Sequence, residues 1–184
     1  MADTAAADGC CRRRLFRCAG SVLLLAAVVG CDPASAPLYQ YEGGLRVAAG
    51  GQLDVWLGAD CPAVSAVEVQ LNDSDDRPTD VWRVEAASGG ARLSSFRLGT
   101  VPPGFTQTDP LKGEWRSADT LRIRVETGAS RTSSYAAVDS FLLEADSRAA
   151  DEVFVQDQGW TSSAGYRDLV AEKAVYPLCE PSGD

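Results

Sequence analysis

The segment Leu121-Arg122-Ile123-Arg124-Val125-Glu126 sets an apolar side chain against a charged one at every step. A period of two is the signature of a strand with one face buried and the other wet. The same alternation recurs at Leu53, Val55 and Leu57, with Asp54 and Trp56 opposite, and at Val67, Val69 and Leu71, with Glu68 and Gln70 opposite. Further strands are predicted over residues 45–48, 81–86, 92–98, 134–143 and 152–156. Turn formers separate them: Gly43-Gly44, Gly50-Gly51, Asn72 to Asp76 with Pro78, Gly89-Gly90, Pro102-Pro103-Gly104 and Gly128. Eight short strands with polar faces and no regular helices between them argue for an all-β fold. The architecture expected is an antiparallel two-sheet β-sandwich, immunoglobulin-like or jelly-roll-like, rather than a parallel α/β sheet. One short helix is expected near the C-terminus, where Tyr166, Leu169, Val170 and Lys173 or Ala174 follow Ser162-Ser163 at helical spacing. A closing strand over residues 171–176 is the alternative there. Residues 99–111 are rich in proline and read as a long connection between sheets, with a binding loop as the functional alternative.

The chain opens differently. Arg12-Arg13-Arg14-Leu15-Phe16-Arg17 is followed by an apolar run from Ala19 to Gly30 and then by Cys31, the three parts of a secretory signal. The junction Val28-Val29-Gly30-Cys31 resembles the bacterial lipobox. That resemblance covers the first 31 residues. It implies cleavage before Cys31, a diacylglyceryl thioether on its sulfur and attachment to the extracytoplasmic side of a cell membrane. A membrane-crossing helix is the alternative, but a bilayer needs roughly 20 apolar residues and this run has 12. Arg13-Arg14-Leu15-Phe16 fits both a plain basic head and the core of a twin-arginine export signal. The expected organisation is therefore a signal over residues 1–30, a lipidated cysteine and short tether over 31–37, and one β-sandwich domain over 38–184. Such a tether spans only about 15 to 25 Å, which holds the domain close to the membrane.

From Cys31 onward the chain carries 13 basic and 24 acidic residues, a net charge of −11. Nucleic acid, whose recognition depends on Lys and Arg neutralising phosphates, is excluded as a partner. Cysteine usage then simplifies. Cys10, Cys11 and Cys18 leave with the signal and Cys31 is blocked, so Cys61 and Cys179 are expected to form one disulfide in an oxidising space. A metal or redox site is the rival reading, and it lacks both a Cys-x-x-Cys pair and any histidine.

The absence of histidine removes Ser-His-Asp and Cys-His catalysis and His-ligated zinc together. Nucleophile-elbow, Ser-x-x-Lys, phosphate-loop and dinucleotide motifs are likewise missing from the sequence. Carboxylates are the one catalytic resource present in quantity, and a pair about 5 to 10 Å apart hydrolyses glycosides. Asp73, Asp75 and Asp76 form a weak calcium candidate, although the EF-hand positions of glycine and glutamate hold Pro78 and Val84. Trp56, Trp115 and Trp160 are candidate binding aromatics, with burial in the core as the alternative. No cofactor is expected. The function expected is a non-catalytic binding or envelope-associated accessory module, whose partners are the membrane, through its anchor, and an envelope protein or glycan. A carboxylate-dependent enzyme acting on cell-wall glycans and a purely structural lipoprotein are the rivals.

Overall fold

The computed structural model describes residues 41–128 and 130–179. The signal, Cys31 and the tether lie outside the described residues, as do the first residues of the expected domain. Nine strands and two short helices occupy the rest: β1 (Gly44–Val47), β2 (Leu53–Asn72), β3 (Pro78–Ala86), β4 (Ala91–Arg97), β5 (Phe105–Asp109), β6 (Thr120–Thr127), β7 (Arg131–Ala137), α1 (Val138–Ala145), β8 (Glu152–Val155), β9 (Gly159–Ser162) and α2 (Ser163–Ala171). All strand pairings between these elements are antiparallel.

The architecture is a β-sandwich organised by one strand. The alternations at Leu53–Leu57 and Val67–Leu71 belong to a single 20-residue β2. Its first part pairs with β1 and β4, and its last part pairs with β3 and β6. One sheet therefore runs β4-β2-β1-β8-β9 and the other β5-β3-β2-β6-β7. Between the two parts the strand bends, with φ of 82° at Gly58 and breaks in register on both sides of Cys61. Strands that change sheet at a bend in this way form the corners of sandwiches. Leu53, Val55 and Leu57 from one sheet meet Val67, Val69, Leu71, Leu121, Ile123 and Val125 from the other in a single core. The Trp82 ring on β3 stacks on Phe96 of β4 across the gap, with centroids 5.4 Å apart.

Two further expectations change. Residues 134–143 are not one strand, because β7 stops at Ala137 and α1 follows at once. Val138, Phe141, Leu142 and Ala145 recur at helical spacing, and that stripe faces the core and closes one end of the sandwich. Within residues 99–111, five residues form β5, an edge strand on β3 ended by Pro110.

The helix near the C-terminus is present as α2, and Ser162 caps it by accepting a hydrogen bond from the Gly165 N–H at 3.2 Å. It lies on the outer face of the first sheet, where Tyr166 joins Val153, Val155 and Val175 in a second small cluster. The run Val153-Phe154-Val155 is thus apolar on both sides because β8 is covered on both sides. After α2 the chain returns to the bend in β2. Leu178 N–H donates to Leu57 O at 3.0 Å, and Cys179 is joined to Cys61 by a disulfide with Cα atoms 5.8 Å apart. Both cysteines are buried. The link spans 118 residues, a loop whose closure is worth about 4 to 5 kcal/mol of unfolded-state entropy in the chain-entropy model, with measured values typically nearer 2 to 4. Among the described residues, no helix is long and apolar enough to cross a membrane.

Candidate functional site

The outer face of the first sheet carries a cleft of about 590 Å³ beside α2. Strand register builds its floor. Arg46 of β1 stands opposite Asp54 of β2, which stands opposite Arg97 of β4. The next row on the same face is Gly44, Trp56 and Ser95, about 7 Å further along the strands. Gln52 and Thr100 line the cleft at one end, and Asp151, Val153 and Ser163 line it toward β8 and α2.

Asp54 is the fixed point of this floor. Arg97 donates to it through Nε at 2.8 Å and Nη2 at 3.3 Å, and Arg46 through Nη2 at 3.2 Å. The carboxylate side chain is 18% exposed, whereas the two guanidinium side chains are 42% and 43% exposed. The hydrogen bonds from Arg97, with those from Arg46, outweigh partial burial and hold the Asp54 carboxyl below the usual carboxylate range. The Arg97 guanidinium is correspondingly held further from deprotonation by Asp54. Arg46 is also tied through Nη1 to the Ala150 carbonyl at 2.5 Å, and with both arginine side chains over two-fifths exposed the row presents N–H donors around an acceptor that is already oriented.

Trp56 supplies the apolar part. Its ring meets the Tyr166 ring edge-on with centroids 4.6 Å apart, and Tyr166 is locked by donating from Oη to the Glu42 carbonyl at 2.7 Å. Burial, with the Glu42 carboxylate nearby, raises the Tyr166 pKa, so this phenol keeps its proton. Gly44 lets the indole lie close to β1. A Cβ at that position would stand 3.1 Å from Trp56 Cε3 and 2.8 Å from Val153 Cβ.

The other singled-out residues lie apart from this cleft. Trp115 is buried against Phe141, with centroids 5.9 Å apart, and donates from Nε1 to the Gly51 carbonyl at 3.3 Å. Its loop is drawn in by Asp80, whose carboxylate accepts from the N–H groups of Lys112 and Gly113 at 2.7 and 2.6 Å. A second cleft of about 430 Å³ surrounds Asp80, and that carboxylate is already committed to the loop backbone. Trp160 is half-buried in a ring cluster with Phe141 and Phe154, and Arg148 lies over its face. Asp73 and Asp75 are engaged by Arg77, while Asp76 accepts from Asn72 and Thr120. Among the described residues no group of three or more His, Cys, Asp or Glu is placed to hold a metal ion.

Of the residues singled out in the sequence, Trp56 is the one that reaches the cleft. Arg46, Asp54 and Arg97 escaped sequence reasoning. Their only signal is that each occupies an outward position on a strand, and their meeting depends on cross-strand register. Set against protein-family models, curated proteins and solved structures, the chain matches none.

Proposed function

We propose that the protein is a lipid-anchored, extracytoplasmic binding module of a bacterial envelope, attached through Cys31 and acting without catalysis of its own. The observation that carries this reading is the state of Asp54. Asp54 is held between Arg97 and Arg46 on the cleft floor, and they keep its carboxyl below the usual carboxylate range. A carboxylate in that state orients donors and accepts hydrogen bonds. The lipobox-like junction supports the anchor, and the Cys61–Cys179 disulfide suits an oxidising compartment.

Two measurements on intact cells test the proposal. Palmitate labelling is expected on the full-length protein and not on Cys31→Ala, and equal labelling of the two would refute the anchor. Chemical crosslinking followed by mass spectrometry is expected to retrieve an envelope component that is lost in Cys31→Ala. An adduct profile unchanged by that substitution would sink the accessory role.

A further inference from the structure

We infer that the ligand of this cleft is a glycan chain, with a sugar ring set against Trp56 and its hydroxyls shared among Arg46, Asp54 and Arg97. The inference rests on the binding reading above and names the occupant. Sugars combine apolar C–H faces with dense hydroxyls that both donate and accept. Their recognition therefore calls for an aromatic wall next to planar polar groups that are already oriented, and the cleft places these in adjacent rows of one sheet. Trp56 is backed by Tyr166 and steadied over Gly44, so little side-chain entropy remains to be lost on binding. Asp54 accepts while Arg46 and Arg97 donate, and Gln52, Ser95 and Thr100 add polar groups at the margins.

Two competing occupants fit less well. A strongly anionic ligand wants uncompensated cations, and here Arg46 and Arg97 share the cleft with Asp54 and Asp151. A docked protein draws its affinity from a desolvated apolar centre, whereas the row next to the indole on this face is charged. The volume lies within the about 300 to 1,000 Å³ usual for small-ligand clefts.

The test uses the full-length chain in micelles of a zwitterionic detergent without a sugar headgroup. The probes are the β-1,4-linked N-acetylglucosamine tetramer and peptide-free glycan strands released from peptidoglycan. Tryptophan fluorescence is expected to titrate saturably with at least one of them. Trp56→Ala should weaken binding by about tenfold or more. Because Trp56 also packs on Tyr166, Ser95→Leu serves as a second variant that fills the cleft from an exposed position and leaves that packing intact. It should weaken binding similarly, whereas Tyr135→Phe on the other sheet should leave it unchanged. No saturation with either probe at millimolar concentration overturns the inference, as does binding that survives both cleft variants. A photo-crosslinking residue in place of Ser95 separates the two levels of failure. Capture of a protein there without glycan binding overturns the glycan and leaves the binding module standing, while neither capture nor binding brings down both.

Discussion

Gly58 sits at the bend of β2 with φ of 82°, and a Cβ there would fall 2.2 Å from Tyr166 Oη. Gly89 shares a positive φ of 64°, yet nothing lies within 4 Å of where its Cβ would be. The pair separates backbone strain from steric conflict. Gly89→Ala should lose about 1 to 2 kcal/mol from left-handed backbone alone. Gly58→Ala should lose several kcal/mol, because it also pushes Tyr166 off the Glu42 carbonyl that accepts its hydrogen bond. Urea denaturation of the two variants checks the order. The end of α2 offers the opposite sign. Lys173 has φ of 59°, and its N–H and that of Ala174 reach back to Val170 and Leu169 at 3.0 and 2.9 Å. That is a Schellman C-cap holding lysine where glycine is the usual occupant. Lys173→Gly should raise the unfolding free energy by about 0.5 to 1 kcal/mol, seen as a higher denaturation midpoint at unchanged slope.

At the scale of elements, Asp80 ties the backbone of Lys112 and Gly113 to β3. Partial burial would raise its pKa, but hydrogen bonds from the N–H groups of Gly113, Lys112 and Val81 outweigh this and lower it. Asp80→Ala leaves those backbone donors to water and should cost about 1 kcal/mol. Amide hydrogen exchange at Lys112 and Gly113 should accelerate, while exchange in β6 should stay slow, because that strand lies between β2 and β7. Elements whose faces differ in polarity were legible in the sequence, and β6 shows this best, with Leu121, Ile123 and Val125 in the core and Arg122 and Arg124 outside. Legibility failed where local chemistry argued against the tertiary outcome. Gly58 and Pro62 stand between the alternations at Leu53–Leu57 and Val67–Leu71, which by pattern are two strands although they belong to one β2. Apolar residues run closely enough over 134–143 to fit alternation, while the helical recurrence of Val138, Phe141, Leu142 and Ala145 spans only two turns. The cleft is harder still, since only the pairing of β1, β2 and β4 brings Arg46 and Arg97 to Asp54.

Across the whole molecule, the two outer faces are braced by ion pairs of the same kind. On the second sheet Glu68 accepts from Arg124 at 2.6 Å and from Arg83 at 3.2 Å, and Glu126 accepts from Arg83 and Arg131. Arg83 first, with Arg131, holds the Glu126 carboxyl below its ordinary 4.5, as Arg97 and Arg46 hold Asp54 below 3.8. Carboxyls with depressed folded-state pKa contribute stability that is fully present above their ordinary values and is lost as pH falls through the lowered ones. Thermal stability should therefore change little from these groups above about pH 5 and drop steeply below about pH 4. Arg83→Gln should flatten that drop, because Glu126 would then protonate nearer its ordinary pKa. A melting series from pH 7 to pH 2 reads both.

The bend in β2 has a bearing on what lengths of chain this architecture tolerates. Along it the buried positions run Leu53, Val55, Leu57 and Cys61, step by three to Val64, pass through Ala66, and step by one to Val67 before continuing to Val69 and Leu71. The two odd steps cancel, so both ends of the strand keep the same parity and both point their apolar rows at one core. One residue gained or lost between Leu57 and Val67 would leave each half a sound strand by itself, yet would present Glu68 and Gln70 inward whenever Leu53 and Val55 are in place. Insertions are thus confined to the connections between strands, such as the turn at Ser88 to Gly90, while the count of residues from Leu53 to Leu71 is held by two sheets at once.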